Sequence, residues 1–319
     1  MIAAMAVAAR IDPKTFFTPD EWAGLSTRSS WKGLALIAHA WAVIFAAAAV
    51  AVVWPITIPF AVMIIGGRQL GLAILMHDAA HGALHKNLKV NDWAGEWLTS
   101  GGLSRYRPYH LTHHKFAQQA EDPDLVLSAP FPITRTSLRR KIVRDLTGQT
   151  WFKQRFGDFR ARLKARKAGE PVLPIVLEEV RRKRRFLAGA VATIALTAPF
   201  GLWWAWFVLW LLPQATWLQM ITRLRNIAEH ACVAKDEPDP LRHARTTTAN
   251  LVERALIAPY WVNYHCEHHM FMHLPCYSLP KAHRLLRAKG VTERMETAPS
   301  YFAVLKKAAS KGQPTAVPA

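Results

Sequence analysis

The stretch from Gly33 to Trp54, GLALIAHAWAVIFAAAAVAVVW, contains no Asp, Glu, Lys or Arg. An α-helix rises about 1.5 Å per residue, so a helix over this stretch is roughly 33 Å long. The hydrocarbon core of a bilayer is about 30 Å thick. The stretch therefore predicts a transmembrane helix, and the rest of the fold has to be compatible with a membrane.

Further apolar segments follow the first one. A second run continues from Pro55 to Met76, and a third block extends from Phe186 to about Thr222. One helix over the third block would be about 55 Å long, too long for a single crossing, but TAPFG at 197–201 divides it. We therefore expect an all-α integral membrane protein with four transmembrane helices and a cytosolic helical cap, in a single domain over 1–319. The expected helices lie at about 33–54, 56–76, 186–199 and 201–222, and the cytosolic segments at 77–185 and 223–319.

The charge of the chain is concentrated in one segment. The formal net charge is +19, which by itself would suit binding to nucleic acid. Residues 135–185 hold 17 Lys and Arg against 5 Asp and Glu, whereas the tips at 54–55 and 198–201 are uncharged. By the positive-inside rule the basic segment and both termini are cytoplasmic. We expect a multi-pass protein of a bacterial inner membrane without a nucleic-acid partner, whose basic segment contacts either anionic lipid headgroups or an acidic protein.

Most of the 14 histidines lie in four short segments on this same side: HDAAH, HLTHH, NIAEH and HCEHH. Spacings of three and four residues place side chains on one face of a helix. Imidazoles packed together without a metal would compete for hydrogen bonds, and their protonation would set like charges side by side. The segments therefore predict a metal site at the membrane boundary.

The number of histidines indicates how many ions such a site holds. One first-row ion accepts four to six ligands, so the nine histidines of these motifs are too many for one ion and suit two. A structural zinc site is closed by four ligands. Soluble di-iron bundles use Glu-x-x-His motifs, which this sequence does not contain. A histidine-rich centre of two metal ions is the remaining interpretation.

HDAAH, HLTHH and NYHCEHH, arranged between four apolar segments, resemble the three histidine boxes of the membrane fatty acid desaturase family. The similarity extends from about Trp31 to Arg287. It implies a four-span fold with a cytosolic cap, a non-haem centre of two iron ions, O2 as oxidant and an external electron donor. Matched residue by residue, the boxes imply the metal ligands His77, His81, His110, His113, His114, His265, His268 and His269. The Asn-x3-His motif of relatives matches NIAEH, which implies that His230 is a further ligand and that Asn226 holds a metal-bound water.

Several residues near the boxes have less definite roles. His85 continues the helical face of the first box, where relatives usually carry an apolar or aromatic residue, and we expect it beside the ligands. His273 is expected in a similar supporting or packing position. Asp78, Glu229 and Glu267 adjoin ligands, and such carboxylates either orient imidazole rings or form exposed salt bridges.

The resemblance implies an O2-dependent desaturase that introduces a double bond into a fatty acyl chain, presented as free acid, thioester or membrane lipid. Hydroxylation of an acyl lipid, a sphingolipid or a carotenoid by the same centre is the main alternative. A metal transporter is a remote alternative, because transporters place ionisable ligands near the bilayer midplane. The sequence contains no Cys-x2-Cys-His haem-attachment motif, so we expect an external, ferredoxin-type donor attracted by the basic surface.

Overall fold

The computed structural model describes residues 11–167, 169–237 and 239–312, and the predictions for the two chain ends lie outside the described residues. The described residues are mainly α-helical, as the all-α prediction requires. They form two compact units, which are described separately. The first unit contains residues 11–43, 67–139 and 221–312, without 238, and the second contains 44–66 and 140–220, without 168.

The helices vary in length from one turn to seven. The first six are α1 (Pro19–Ser26), α2 (Lys32–Val53), α3 (Ile58–Ala80), α4 (Leu88–Trp97), α5 (Leu103–Lys115) and α6 (Leu125–Ser128). They are followed by α7 (Arg135–Leu146), α8 (Gln149–Ala165), α9 (Leu173–Thr197), a π-helical segment (Trp206–Leu211), α10 (Leu212–Ala215) and α11 (Trp217–His230). The last are α12 (Leu251–Leu256), α13 (His265–Met270), α14 (Leu279–Ala288) and α15 (Tyr301–Ala308). A short parallel pair joins β1 (Thr246–Thr247) to β2 (Thr297–Ala298).

Two helices are long and apolar enough to cross a bilayer, among the residues that the structure describes. They are α2 and the continuous segment Pro55–Ala80, which contains α3. Both coincide with the first two spans expected from the sequence. α2 ends next to Pro55, which cannot donate the backbone hydrogen bond that would continue the helix.

The third and fourth expected spans differ from the prediction in their boundaries. α9 already begins at Leu173, so the basic run at 181–185 lies inside the helix and only about 18 Å of apolar helix follows it. The fourth segment is not one regular helix, because a π-helical segment precedes Pro213 and Thr216 leaves the helical conformation. A proline within a helix removes a hydrogen bond and distorts the preceding turn, which accounts for the break.

The second unit is held together by aromatic side chains. Trp151 contacts Phe152 and Phe156 on α8, and Phe186 on α9 packs edge-on against Trp206. Elsewhere this unit leaves large apolar side chains uncovered. Those exposed by 60% or more include Phe45, Val53, Ile56, Phe60, Val191, Leu196 and Phe200.

Two arginines in the first unit cap the ends of helices that carry candidate histidines. Arg107 on α5 donates to the carbonyl oxygens of Ala79 and Ala80 at the end of α3, at 2.9 and 3.0 Å. Arg245, 1% exposed, donates to the carbonyl of Ala231 just after α11 at 2.9 Å. The last carbonyls of a helix have no partner within it, so these guanidinium groups stabilise both helix ends.

Candidate metal centre

The structure brings all nine histidines implied by the sequence together inside the first unit, in two groups. In each group the candidate ligand atoms lie within 4.8 Å of one another. The five-histidine group consists of His77, His81, His110, His114 and His268. The four-histidine group consists of His113, His230, His265 and His269. The side chains are buried, apart from the half-buried His269.

Helical spacing explains how each H-x2-H-H box serves both groups. On α5, His110 and His114 are four residues apart and face the five-histidine group, whereas His113 turns to the four-histidine group. On α13 the pattern is reversed, because His265 and His269 belong to the four-histidine group and His268 to the other. Neighbouring residues on a helix are separated by about 100°, so the middle histidine of each box points to a different position.

The separations between the ring nitrogens suit metal ions. In the five-histidine group, Nε2 of His114 lies 3.0 Å from Nε2 of both His110 and His268. In the four-histidine group, Nε2 of His265 lies 2.9 Å from that of His230 and 3.2 Å from that of His269. Two nitrogens bound at about 2.1 Å and at right angles are about 3.0 Å apart. A chain of neutral imidazoles has too few protons to make each of these contacts a good hydrogen bond, whereas shared cations satisfy them together.

Burial keeps the imidazoles in the form that binds metal. It lowers the pKa of seven of the candidate ligand rings outside the apolar helices, so these seven are neutral near pH 7. These rings are His81, His110, His114, His230, His265, His268 and His269. Metal ions bind the neutral imidazole, so burial and ligation act in the same direction.

Two residues that the sequence analysis did not select orient ligands of the four-histidine group. Asp122, 5% exposed, accepts a hydrogen bond from Nδ1 of His113 at 2.8 Å. The side-chain amide of Gln118 lies 3.2 Å from Nδ1 of His230. The carboxylate of Asp122 holds a proton on Nδ1 of His113, which leaves Nε2 of that ring free for a metal. The sequence signal was the segment QQAEDPD, which follows the second box closely, but its pairing with His113 depends on the turn after α5.

The three carboxylates expected beside ligands have different environments. Asp78 approaches His77 only to 3.7 Å, and its other oxygen accepts from the backbone N–H of Cys276 at 2.8 Å. Glu267 accepts hydrogen bonds from the hydroxyl of Thr246 and from Nδ1 of His283. It therefore stabilises the position of α13 and orients no candidate ligand. Glu229 is the one of the three that faces the centre, with Oε2 3.6 Å from Nε2 of His265.

The remaining histidines named by the sequence lie outside both groups. Nδ1 of His85 accepts a hydrogen bond from the backbone N–H of Asn87 at 2.9 Å, which stabilises the start of α4. His273 places Nδ1 3.2 Å from the carbonyl oxygen of His81 and thus supports the turn that carries a candidate ligand. His85 therefore has a local structural contact, and His273 occupies the supporting position expected for it.

A small cavity of about 30 Å³ adjoins the centre within the first unit. Candidate ligands from both groups line it, together with Tyr106, Asp124, Arg225, Asn226 and Glu229. Asn226, expected to hold a metal-bound water, thus lies at the cavity wall, where Oδ1 accepts from Nη2 of Arg225 at 2.7 Å. Burial raises the pKa of Glu229 to about 7, and the nearby guanidinium of Arg225 opposes this rise.

Comparison with known proteins shows which protein family this chain belongs to. The sequence pattern of the family described as fatty acid desaturase matches residues 52–297, which is more than half of the 319-residue chain. The chain belongs to the fatty acid desaturase family, which confirms the resemblance seen in its histidine boxes, and it has a desaturase- or oxygenase-type function. It is also 27% identical over 238 residues to the dihydrorhizobitoxine desaturase of Bradyrhizobium elkanii, an alignment that covers 71% of this chain and 67% of that protein.

Proposed function

We propose that the protein is an O2-dependent desaturase that introduces a double bond into a fatty acyl chain at a centre of two iron ions. The observation that supports this most directly is the division of nine histidines into groups of five and four. Imidazole ligands suit iron, and sites of four or five ligands leave coordination positions for small molecules. A single closed zinc site would use only four of the nine histidines.

When bound, the iron ions would supply the oxidising chemistry with O2, which protein side chains cannot provide. The reaction balances when O2 takes two hydrogen atoms from the substrate and two electrons and two protons from outside, and leaves as two water molecules. The residues of this chain hold the ligand rings through Asp122 and Gln118 and keep the imidazoles neutral by burial. The side chains around the cavity determine which C–H bond comes close to the centre.

We also propose that the chain spans a membrane four times, with the metal centre and both termini on the cytoplasmic side. The apolar helices α2 and α3 support the first two crossings. Exposed side chains such as Val191, Leu196 and Phe200 support contact of the third and fourth segments with lipid, since soluble surfaces rarely expose so many large apolar groups. The basic residues inside α9 would then lie at the cytoplasmic headgroups.

The electrons are proposed to come from an acidic donor of the ferredoxin type. Lys164 and Lys167 at the end of α8 are exposed, and the 135–185 segment has a large excess of positive charge. Such a surface accelerates the approach of an acidic protein, and salt weakens the effect. Lipid headgroups are the competing partner for the same surface.

The test is expression in a bacterial host, followed by mass spectrometry of total lipids, free acids and carotenoids. The desaturase proposal predicts a product that has lost two hydrogens, whereas a gain of one oxygen would identify the alternative, a hydroxylase. The variants His114→Ala and His230→Ala should abolish the product. His39→Ala is the matched control, because Nδ1 of His39 lies 3.0 Å from the hydroxyl of Tyr260 and His39 belongs to neither histidine group. If cells that express the wild-type protein show no change in lipids, free acids or carotenoids, this result would contradict the proposed function.

A further inference from the structure

The walls of the cavity beside the metal centre are unusually polar for a site that receives a hydrocarbon chain. Among the described residues that line it, Leu127 is the one aliphatic side chain. The others are histidines and the polar or charged residues Tyr106, Asp124, Ser128, Arg225, Asn226 and Glu229. Methylene groups in contact with buried polar atoms displace water without replacing its hydrogen bonds, so an apolar chain segment gains little there.

Arg225 and Glu229 have hydrogen-bonding capacity that the protein leaves unused. They lie four residues apart on α11, but Nε of Arg225 is 3.5 Å from Oε2 of Glu229, so the pair lacks a normal hydrogen bond. Within the described part of the chain, Nε and both Glu229 oxygens are buried without a hydrogen-bond partner. The Glu229 side chain is only 2% exposed. Buried charged groups without hydrogen bonds are costly, and these groups face the same cavity.

The charge at the site favours an anion. Two divalent cations held by neutral imidazoles would add four positive charges and Arg225 a fifth, against at most two negative charges from Asp124 and Glu229. The planar guanidinium has five N–H donors and matches a carboxylate with two parallel hydrogen bonds. Among the described residues, the contact of Nη2 with Asn226 is the one hydrogen bond of normal length that Arg225 makes, so donors remain for a ligand.

We propose that the substrate is a free carboxylic acid whose carboxylate is bound by Arg225 inside this cavity. This inference rests on the proposed function and narrows it, because an ester or thioester carries no charge for Arg225 to pair with. The cavity is small, about 30 Å³, so it has room for the carboxylate and not for the chain attached to it. Glu229 would accept a hydrogen bond from an amino or hydroxyl group near that carboxylate, if the acid carries one.

The test measures binding, which does not depend on turnover. The full-length protein in detergent is loaded with Fe²⁺ without oxygen and titrated by calorimetry with octanoate, methyl octanoate and 2-aminooctanoate. Octanoate should bind at least tenfold more tightly than its methyl ester. Equal affinity of acid and ester in the wild-type protein would overturn the proposal.

Variants test whether Arg225 causes the difference in affinity between octanoate and its methyl ester. Arg225→Gln should reduce the preference for acid over ester to less than twofold, and Arg225→Lys should retain part of it, because lysine keeps the charge but loses the planar fork. Arg223→Gln is the matched control on the same helix, since Arg223 does not line the cavity. Equal iron content of the variants shows that they have folded. A preference that survives Arg225→Gln in iron-loaded protein would contradict the assignment.

Titration with 2-aminooctanoate distinguishes an amino acid from a simple fatty acid as the source of the carboxylate. Tighter binding of 2-aminooctanoate than of octanoate, abolished by Glu229→Gln, identifies an amino acid, and the opposite order identifies a simple fatty acid. Both results support the carboxylate site. Desaturation of esterified chains by a protein that does not prefer the acid would leave the proposed function standing and refute this inference. Acid-selective binding without any oxidised product would support the carboxylate site and contradict the proposed function.

Discussion

Asp122→Asn is expected to weaken one metal position and to leave the other unchanged. Asp122 accepts from Nδ1 of His113 and also from the backbone N–H groups of Gln118 and Asp124, at 2.8, 2.9 and 2.8 Å. Asparagine has nearly the same shape as aspartate, but it lacks the charge. Its NH2 group replaces one of the two carboxylate oxygens, both of which accept hydrogen bonds in the wild-type protein. The ring of His113 therefore loses its hydrogen-bonded anionic partner, although the carboxylate of Asp124 stays 3.8 Å from Nδ1, and the buried turn keeps most of its packing.

The size of the effect follows from the kind of interaction that is lost. A hydrogen bond to a charged group contributes about 1.5–3 kcal/mol. Loss of a partner that orients a metal-bound histidine lowers metal affinity about 10- to 100-fold, or about 1.4–2.8 kcal/mol. Both estimates predict that the four-histidine position loses iron first, because His113 belongs to that group.

The assay is anaerobic titration of the detergent-purified protein with Fe²⁺ in competition with a chelator. Wild-type protein should bind two ions, and the variant should bind one ion normally and the second 10- to 100-fold more weakly. Asp158→Asn is the control, since Asp158 is an exposed carboxylate in the second unit. An Asp122→Asn protein that binds both ions with wild-type affinity would refute the role of Asp122, and equal weakening of both positions would refute the division into two groups.

Three further predictions follow from the described structure. Reconstituted wild-type protein should contain two iron ions per chain by elemental analysis, and a firm value of one would contradict a dinuclear centre. Gly33→Ala places a Cβ 2.1 Å from the carbonyl oxygen of Leu84, so thermal unfolding in detergent should show destabilisation of about 1–3 kcal/mol, and an unchanged midpoint would contradict this close approach. Replacement of Lys164 and Lys167 by glutamate should raise the Michaelis constant for a ferredoxin donor and make it less dependent on salt, while the iron content stays unchanged. Unchanged donor kinetics would instead assign the basic segment to lipid headgroups.

Eight of the nine histidines could be selected from the sequence because their signal is local, whereas His230 was matched through the Asn-x3-His motif of relatives. A spacing of three or four residues places side chains on one helical face, whatever the rest of the chain does. The same holds for α2 and α3, whose long uncharged runs predict membrane helices from length and composition. The break before Pro213 was less visible, since proline indicates that a helix is disturbed but not whether it bends, stops or widens into a π-turn.

The tertiary structure alone decided how the histidines are shared between two positions. His113 joins His230, 117 positions further along the chain, because α5 and α11 pack in the same unit, and no periodicity in the sequence encodes that contact. Asp122 and Gln118 reach their ligands through the turn after α5, and Arg225 faces the centre through the orientation of α11. The sequence determined which residue types stand on which helical faces, since backbone geometry repeats every 3.6 residues. The partners of those faces depend on long-range packing, which joins residues that are distant in the chain and therefore leaves no pattern in a single sequence.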